Sequence, residues 1–350
     1  MLLELGLSFA VAFVTCYLMV PFFVRFFSGI GVVVKDLQKP RTPLVPVGGG
    51  IPVLFAFTLG VLVFVAQQTF IARSMSELVF LFAALLSIFA IALVGLFDDL
   101  NVRKVLVPVT GGGLKDYKVG LKQWQKPLLT FFAAIPLMAV SAGVSTVLIP
   151  FIGPVNFGLL YPLLLVPLAV VFCSNATNML AGMNGLEAGT TSVALAAVGL
   201  FALSQGQFAG AVIAFSALGA QFAFLFYTWS PAKILPGDSL TYFSGAAIVA
   251  AVILANIEKF GAIVFIPWII EYVLKLRAKF KARSLGDLQK DGTLKAPYEK
   301  IYSLTHIAMK LPEWMHLKKR FTEPQVASLL IGFAIFVAAA AYLLVSLKIV

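Results

Sequence analysis

Charge is what this 350-residue chain has least of. Only 12% of its residues are charged, about half the share in an average soluble domain, and its mean hydropathy is +1.00. That composition excludes a soluble globular protein and points to a polytopic membrane protein. Cysteine is nearly absent too. Cys16 and Cys173 lie within or at the end of apolar runs, which argues against a disulfide framework and reads as packing. The two histidines, His306 and His316, are ten positions apart with no cysteine beside them, a poor basis for a zinc site. No internal repeat stands out, which weighs against transporters built from inverted halves.

Long apolar runs fill most of the chain. Ten candidate spans fall at about 2–24, 47–66, 77–97, 127–143, 158–174, 188–204, 208–228, 239–256, 260–276 and 325–347, each near the ~20 residues that cross a hydrocarbon core. The expected fold is therefore all-α: a single integral domain over 1–350, a bundle of about ten transmembrane helices with small hairpin insertions. Its intervening loops at about 25–46, 98–126, 175–187, 229–238 and 275–322 are expected to be cytoplasmic and catalytic. Four of these, 25–46, 98–126, 229–238 and 275–322, hold 23 of the 26 Lys and Arg residues. Positive loops stay inside, so both termini are expected outside. The net charge of +11 then reflects topology and anionic lipid, with no nucleic-acid partner required. Glu4 precedes the first run and Arg25 follows it, the reverse of a cleaved signal peptide, so the first helix is expected to remain. Hairpins are expected over 103–122, with a Gly-rich turn, and over 144–157, and a turn at 291–293.

The few polar groups inside this apolar context carry the chemistry. Asp98 and Asp99 end the third run, where two like charges meet the negative end of a helix dipole and need a cation such as Lys126 or a metal. Otherwise they are a solvated helix end. After the apolar run PLLLVPLAVVFC comes NATNMLAGMNGLEAG. Asn175 and Asn178 are three apart and share a face if helical, offering neutral oxygens suited to magnesium. Asn184-Gly185 breaks the helix, and Glu187 opens the next one; the plain alternative is an ordinary loop. In PGDSLTYFSGA, Asp238 precedes a span as a ligand or a simple N-cap. In KLRAKFKAR, basic residues recur near every second position, either snorkelling to headgroups or clamping phosphate.

GLFDDL, NATNMLAGMNGLEAG and GDSLTYFSG, in that order, resemble the polyprenyl-phosphate N-acetylhexosamine-1-phosphate transferases, a glycosyltransferase family 4-like group. PLVPVGGGIP at 43–52 resembles the family's first cytoplasmic loop, and the likeness runs from about residue 35 to 300. NGLEAG is closer to the eukaryotic and archaeal UDP-GlcNAc:dolichyl-phosphate branch than to the bacterial one. The resemblance implies transfer of a sugar-1-phosphate from a UDP-sugar to a polyprenyl or dolichyl phosphate with release of UMP, using Mg²⁺ or Mn²⁺. It implies Asn178 and Asp238 as metal ligands and Lys126 at the diphosphate, with Asp98 and Asp99 near the reacting phosphates. Asn175 and the loop residues Asn184 and Glu187 are assigned to substrate, and Lys281 and Arg283 stand where the eukaryotic enzyme has a phosphate clamp. Two features depart from the family: an insertion between Asp99 and Lys126, and the lack of the bacterial His-rich motif. The partners expected are the UDP-sugar, the lipid phosphate and membrane lipid, with a homodimer as the candidate assembly. A nucleotide-sugar transporter is the rival function.

Overall fold

The computed structural model describes residues 1–73, 76–100, 104–109, 113–118, 121–149 and 152–347. In chain order, α1 (Leu2–Gly29) leads through the hairpin β1 (Val33–Lys35) and β2 (Leu44–Pro46) into α2 (Gly50–Gln67), which a π-helical turn prolongs over Gln68–Ala72. Then come α3 (Leu78–Asp99), the antiparallel strands β3 (Lys104–Val109) and β4 (Gly113–Lys118), α4 (Gln125–Ala133) and α5 (Ile135–Ala139). The hairpin β5 (Thr146–Ile149) and β6 (Gly153–Asn156) precedes a π-helical turn over Tyr161–Leu165 and α6 (Val166–Thr177). Three long helices follow, α7 (Leu186–Ser204), α8 (Phe208–Thr228) and α9 (Gly237–Ala255). The chain closes with α10 (Glu258–Val264), α11 (Ile266–Arg277), strands β7 (Asp287–Leu288) and β8 (Leu294–Lys295), α12 (Leu304–Trp314) and α13 (Glu323–Ser346).

Among the described residues, seven helices are long and apolar enough to cross a membrane: α1, α2 with its π-helical turn, α3, α7, α8, α9 and α13. The chain is thus a polytopic, mainly helical membrane protein. The other three expected spans, 127–143, 158–174 and 260–276, are not single α-helices. Each is interrupted close to a proline: α4 gives way to α5 beside Pro136, the π-helical turn to α6 beside Pro167, and α10 to α11 beside Pro267. Proline lacks an amide hydrogen and its ring crowds the carbonyl four residues back, which explains the breaks. The hairpins expected over 103–122 and 144–157 are present as β3–β4 and β5–β6, although the turn residues 110–112 lie outside the described set. The turn at 291–293 links β7 to β8, with Gly292 at φ +81°.

α9 is the bundle's axis. It packs against α2, α3, α6, α7 and α8, and 94% of its apolar window is buried, against 22% in α13 and 28% in α1, whose outer faces carry exposed side chains such as Phe22 and Phe336. In lipid there is no hydrophobic gain from pressing two apolar helices together, so close packing of small residues has to hold them. The α9 sequence GDSLTYFSGAAIVAAVILA supplies them. Gly95 of α3 shows the demand: a Cβ there would lie 2.5 Å from the carbonyl oxygen of Asp238. That approach sets the last turn of α3, with its acid pair, beside the first turn of α9.

Candidate functional site

The two adjacent aspartates of α3 face different partners. Asp99 is 3% exposed, and its Oδ1 and Oδ2 accept the backbone N–H groups of Asp238 (2.7 Å) and Ser239 (3.0 Å). The first turn of any helix leaves amide hydrogens without intrahelical acceptors, and α9 begins after Pro236 with no side-chain cap of its own. Asp99 provides that cap from the neighbouring helix. The charge that is unfavourable at the C-terminal end of α3 is placed against the favourable N-terminal end of α9. The same contact answers the simple N-cap alternative for Asp238, because the capping carboxylate belongs to Asp99. Gly237 completes the joint at φ +71°, and a Cβ on it would stand 2.4 Å from Asp99 Oδ2. Gly237→Ala is therefore expected to destabilise the fold by about 1–3 kcal/mol through backbone strain and a displaced cap, read as a lower thermal midpoint in detergent.

Asp98 turns the other way. Its Oδ1 accepts the Leu121 N–H (2.9 Å), and its Oδ2 lies 3.3 Å from Lys126 Nζ at the start of α4. Lys126 Nζ also donates to Asp238 Oδ2 at 2.7 Å and lies 5.9 Å from the centre of the Tyr242 ring. Lys126 is thus a cation beside Asp98, whereas Asp99 is met by the amides of α9. Asp98 and Asp238, far apart in sequence, share one ammonium.

The asparagine motif ends α6 beside this cluster. Asn175 is a strut: its amide donates to Val171 O (2.8 Å) and Thr130 Oγ1 (3.2 Å) and accepts from the Tyr242 hydroxyl (3.1 Å), joining α4, α6 and α9. Asn178 Oδ1 and the Asp238 carbonyl oxygen each lie 3.1 Å from the Thr241 hydroxyl. The chain then turns at Gly182 (φ +107°) and Gly185 (φ +83°), as the Asn-Gly signal implies. Glu187, buried in the first turn of α7, accepts the Gly182 N–H at 2.6 Å through Oε1, while its Oε2 is buried without a hydrogen-bond partner among the described residues. Asn184 is anchored to Asp36 and Glu323, two carboxylates that lie outside the three sequence motifs.

The basic segment 275–283 does not form one face. α11 continues through Arg277, after which Lys279 and Phe280 adopt left-handed backbone conformations at φ +51° and +59°. Lys275, on the buried face of α11 with Glu271, donates to Ala282 O (2.8 Å) and Ser284 Oγ (2.6 Å) of the chain that turns back over it, and lines the large cavity described below. Arg283 lines that cavity also and pairs with Asp287, whereas Lys281 is exposed and is not part of the lining. His306 is no ligand either. Burial pushes its imidazole down to about 4, so the neutral ring bridges the loop by accepting the Tyr302 N–H and donating Nε2–H to Arg283 O at 3.0 Å.

Two cavities adjoin here. The larger, about 820 Å³, has an apolar wall that includes Leu168, Val171 and Phe172 and a polar end with Lys126, Asn178 and Arg283. The smaller, about 250 Å³, is lined by Asp36, Asn178, Asn184, Glu187 and Asp238. They meet at Asn178. No group of three or more His, Cys, Asp or Glu side chains placed to hold a metal exists among the described residues. Asp238 and Asn178 nevertheless line one wall as a carboxylate and an amide oxygen, a hard donor set that suits a cation completed by water and phosphate oxygens. Tyr242 and Thr241 were visible in the GDSLTYF motif without a role, whereas nothing in the sequence marked Thr130, Asp36, Lys39 or Glu323.

The chain is similar to known proteins. The family model described as Glycosyl transferase family 4 matches residues 81–256. A Saccharolobus solfataricus protein, provisionally named UDP-N-acetylglucosamine–dolichyl-phosphate N-acetylglucosaminephosphotransferase, is 35% identical over 100% of this chain and 99% of its own. A Dictyostelium discoideum protein bearing the same enzyme name is 28% identical over 78% of this chain and 71% of its own. A Geobacillus phospho-N-acetylmuramoyl-pentapeptide-transferase is 30% identical, covering 74% of this chain and 76% of its own.

Proposed function

The chain belongs to glycosyl transferase family 4, and on that footing we propose that it transfers an N-acetylhexosamine-1-phosphate, GlcNAc-1-phosphate in the first instance, from a UDP-sugar to a polyprenyl or dolichyl phosphate, releasing UMP. The observation that carries this reading is the pair of adjoining cavities. One is amphipathic and suited to a lipid phosphate, the other is small, carries the side chains of Asp36, Asn178, Asn184, Glu187 and Asp238 and is suited to the UDP end of a nucleotide sugar, and they meet where Asn178, Asp238 and Lys126 converge.

In this mechanism an oxygen of the lipid phosphate attacks the β-phosphorus of the UDP-sugar, and the bond from that phosphorus to the bridging oxygen breaks as UMP departs with the electron pair. Asp238 and Asn178 would hold Mg²⁺ or Mn²⁺, which when bound neutralises charge on the diphosphate. Lys126, oriented by Asp98 and Asp238, faces the charge that grows on the leaving group. Direct attack is favoured over an aspartyl intermediate because Asp98 is held by Leu121 and Lys126, and Asp99 by the first turn of α9. The three interrupted segments are read as further crossings, giving ten passes with the site loops cytoplasmic and both termini external, in line with the basic-loop bias.

The deciding experiment uses the purified protein, in detergent for turnover and reconstituted into sealed vesicles for uptake. UMP release that requires a divalent cation together with polyprenyl phosphate is expected. UDP-sugar uptake into vesicles without any lipid phosphate, and no UMP release with it, would establish the transporter reading instead.

A further inference from the structure

Asn184 and Asp36 both line the smaller cavity, and two residues outside its lining, Lys39 and Glu323, hold them. The Asn184 backbone N–H donates to Glu323 Oε1 at 2.8 Å, and its side-chain Nδ2 donates to Asp36 Oδ2 at 3.0 Å. Glu323 opens α13 at the far end of the sequence, 139 residues from Asn184, and Asp36 belongs to the loop between β1 and β2. Lys39 closes the ring, forming an ion pair with Glu323 and lying 4.0 Å from Asp36 Oδ2. Both carboxylates are buried, Glu323 at 3% and Asp36 at 8% exposure.

Withdrawing two carboxylates from water is costly unless each is paired and hydrogen-bonded. Here a single lysine and the two Asn184 donors serve that need. A carboxylate only accepts, so Asp36 also decides which way the Asn184 amide points: its NH₂ faces Asp36, leaving Oδ1 as the polar atom it can offer elsewhere. α13 is otherwise largely lipid-facing, so this ring ties a peripheral helix to the wall of the cavity.

We infer that Lys39 and Glu323 form a positioning pair that, through Asn184 and Asp36, sets the smaller cavity's affinity for the UDP portion of the donor. The inference rests on the donor reading of that cavity. Neither residue of the pair touches the donor in this scheme. They act by holding the Asn184 loop, from which Glu187 and α7 continue.

The test compares wild type with Glu323→Ala, Glu323→Gln and Lys39→Met in the full-length purified protein. Calorimetry measures UDP binding without lipid, and steady-state kinetics gives KM for each substrate and kcat. Glu323→Ala is expected to raise the UDP Kd and the UDP-sugar KM about tenfold, with the lipid-phosphate KM unchanged and kcat within about threefold. Glu323→Gln, which keeps an acceptor for the Asn184 N–H, is expected to lose less. Lys39→Met should add little in the Glu323→Gln background, because the two residues act as a unit. Should Glu323→Ala fail to fold by size exclusion, the Gln and Met variants decide. UDP affinity unchanged in those two, or KM raised equally for both substrates, overturns the inference. A wild-type protein that binds no UDP would instead remove the donor reading itself.

Discussion

Replacing Lys126 by alanine is expected to lower kcat by about 10²–10³ while changing either KM far less. The ammonium lies between Asp238 Oδ2 and Asp98 Oδ2 at the junction of the two cavities, where in the proposed reaction the leaving UMP would gather charge. Removing a fixed donor from such a position typically costs that factor. The variant also removes an ammonium that Asp98 and Asp238 share, so some loss of stability accompanies the kinetic effect. Lys126→Arg keeps the charge but replaces a compact ammonium with a planar fork, and recovery should be partial. Initial rates of UMP release at saturating concentrations of both substrates, beside a thermal-shift control, are the measurement. Activity within tenfold of wild type in Lys126→Ala would remove this residue from the reacting centre.

The second large effect is expected at Asp238. Asp238→Ala should reduce turnover about 10³-fold or more, and Asp238→Asn should fall between the two. The helix itself should survive, because its first turn is capped by Asp99 through the backbone of Asp238 and Ser239, atoms that the substitution keeps. That separation makes the experiment informative: a folded but inactive variant locates the defect in the side chain. A readout apart from turnover is Mn²⁺ binding by electron paramagnetic resonance, in which Asp238→Ala should weaken affinity at least about tenfold. Unchanged metal affinity together with near-normal turnover would leave Asp238 as a neighbour of Lys126 and nothing more.

Much of this arrangement is legible in the sequence. Runs of about twenty apolar residues identify the long helices because a bilayer demands that length, and scarce acids in such a chain stand out as groups the membrane has to accommodate. The acid pair, the asparagine motif and Asp238 were found on that ground, and the structure brings Asp98 and Asp238 onto Lys126. What hydropathy could not convey was continuity: it averages over prolines, so Pro136, Pro167 and Pro267 interrupt segments that read as unbroken. The clamp assignment suffered from a backbone event. The alternating spacing of Lys275 to Arg283 suggests one basic edge, but Lys275 lies on the buried face of α11 with Glu271, and the chain turns at the left-handed residues 279 and 280, leaving Lys281 outside. Asp99 looked like half of a matched pair, and only tertiary structure could reveal that its partner is the start of another helix. Lys39 and Glu323 carry no local pattern at all, since neither residue's meaning exists until α13 returns to the first loop.

The larger cavity has a bearing on which lipids the protein can tell apart. With the acceptor phosphate at its polar end, as proposed above, a space of about 820 Å³ would have room for the head of a long isoprenoid alcohol and a short stretch of its tail, and the remainder would lie among the acyl chains of the bilayer. Selectivity should then reside in the isoprene units next to the phosphate, where saturation and double-bond geometry meet Leu168, Val171 and Phe172. Total tail length would matter little, so water-soluble analogues cut down to a few units should serve as acceptors nearly as well as the full-length lipid.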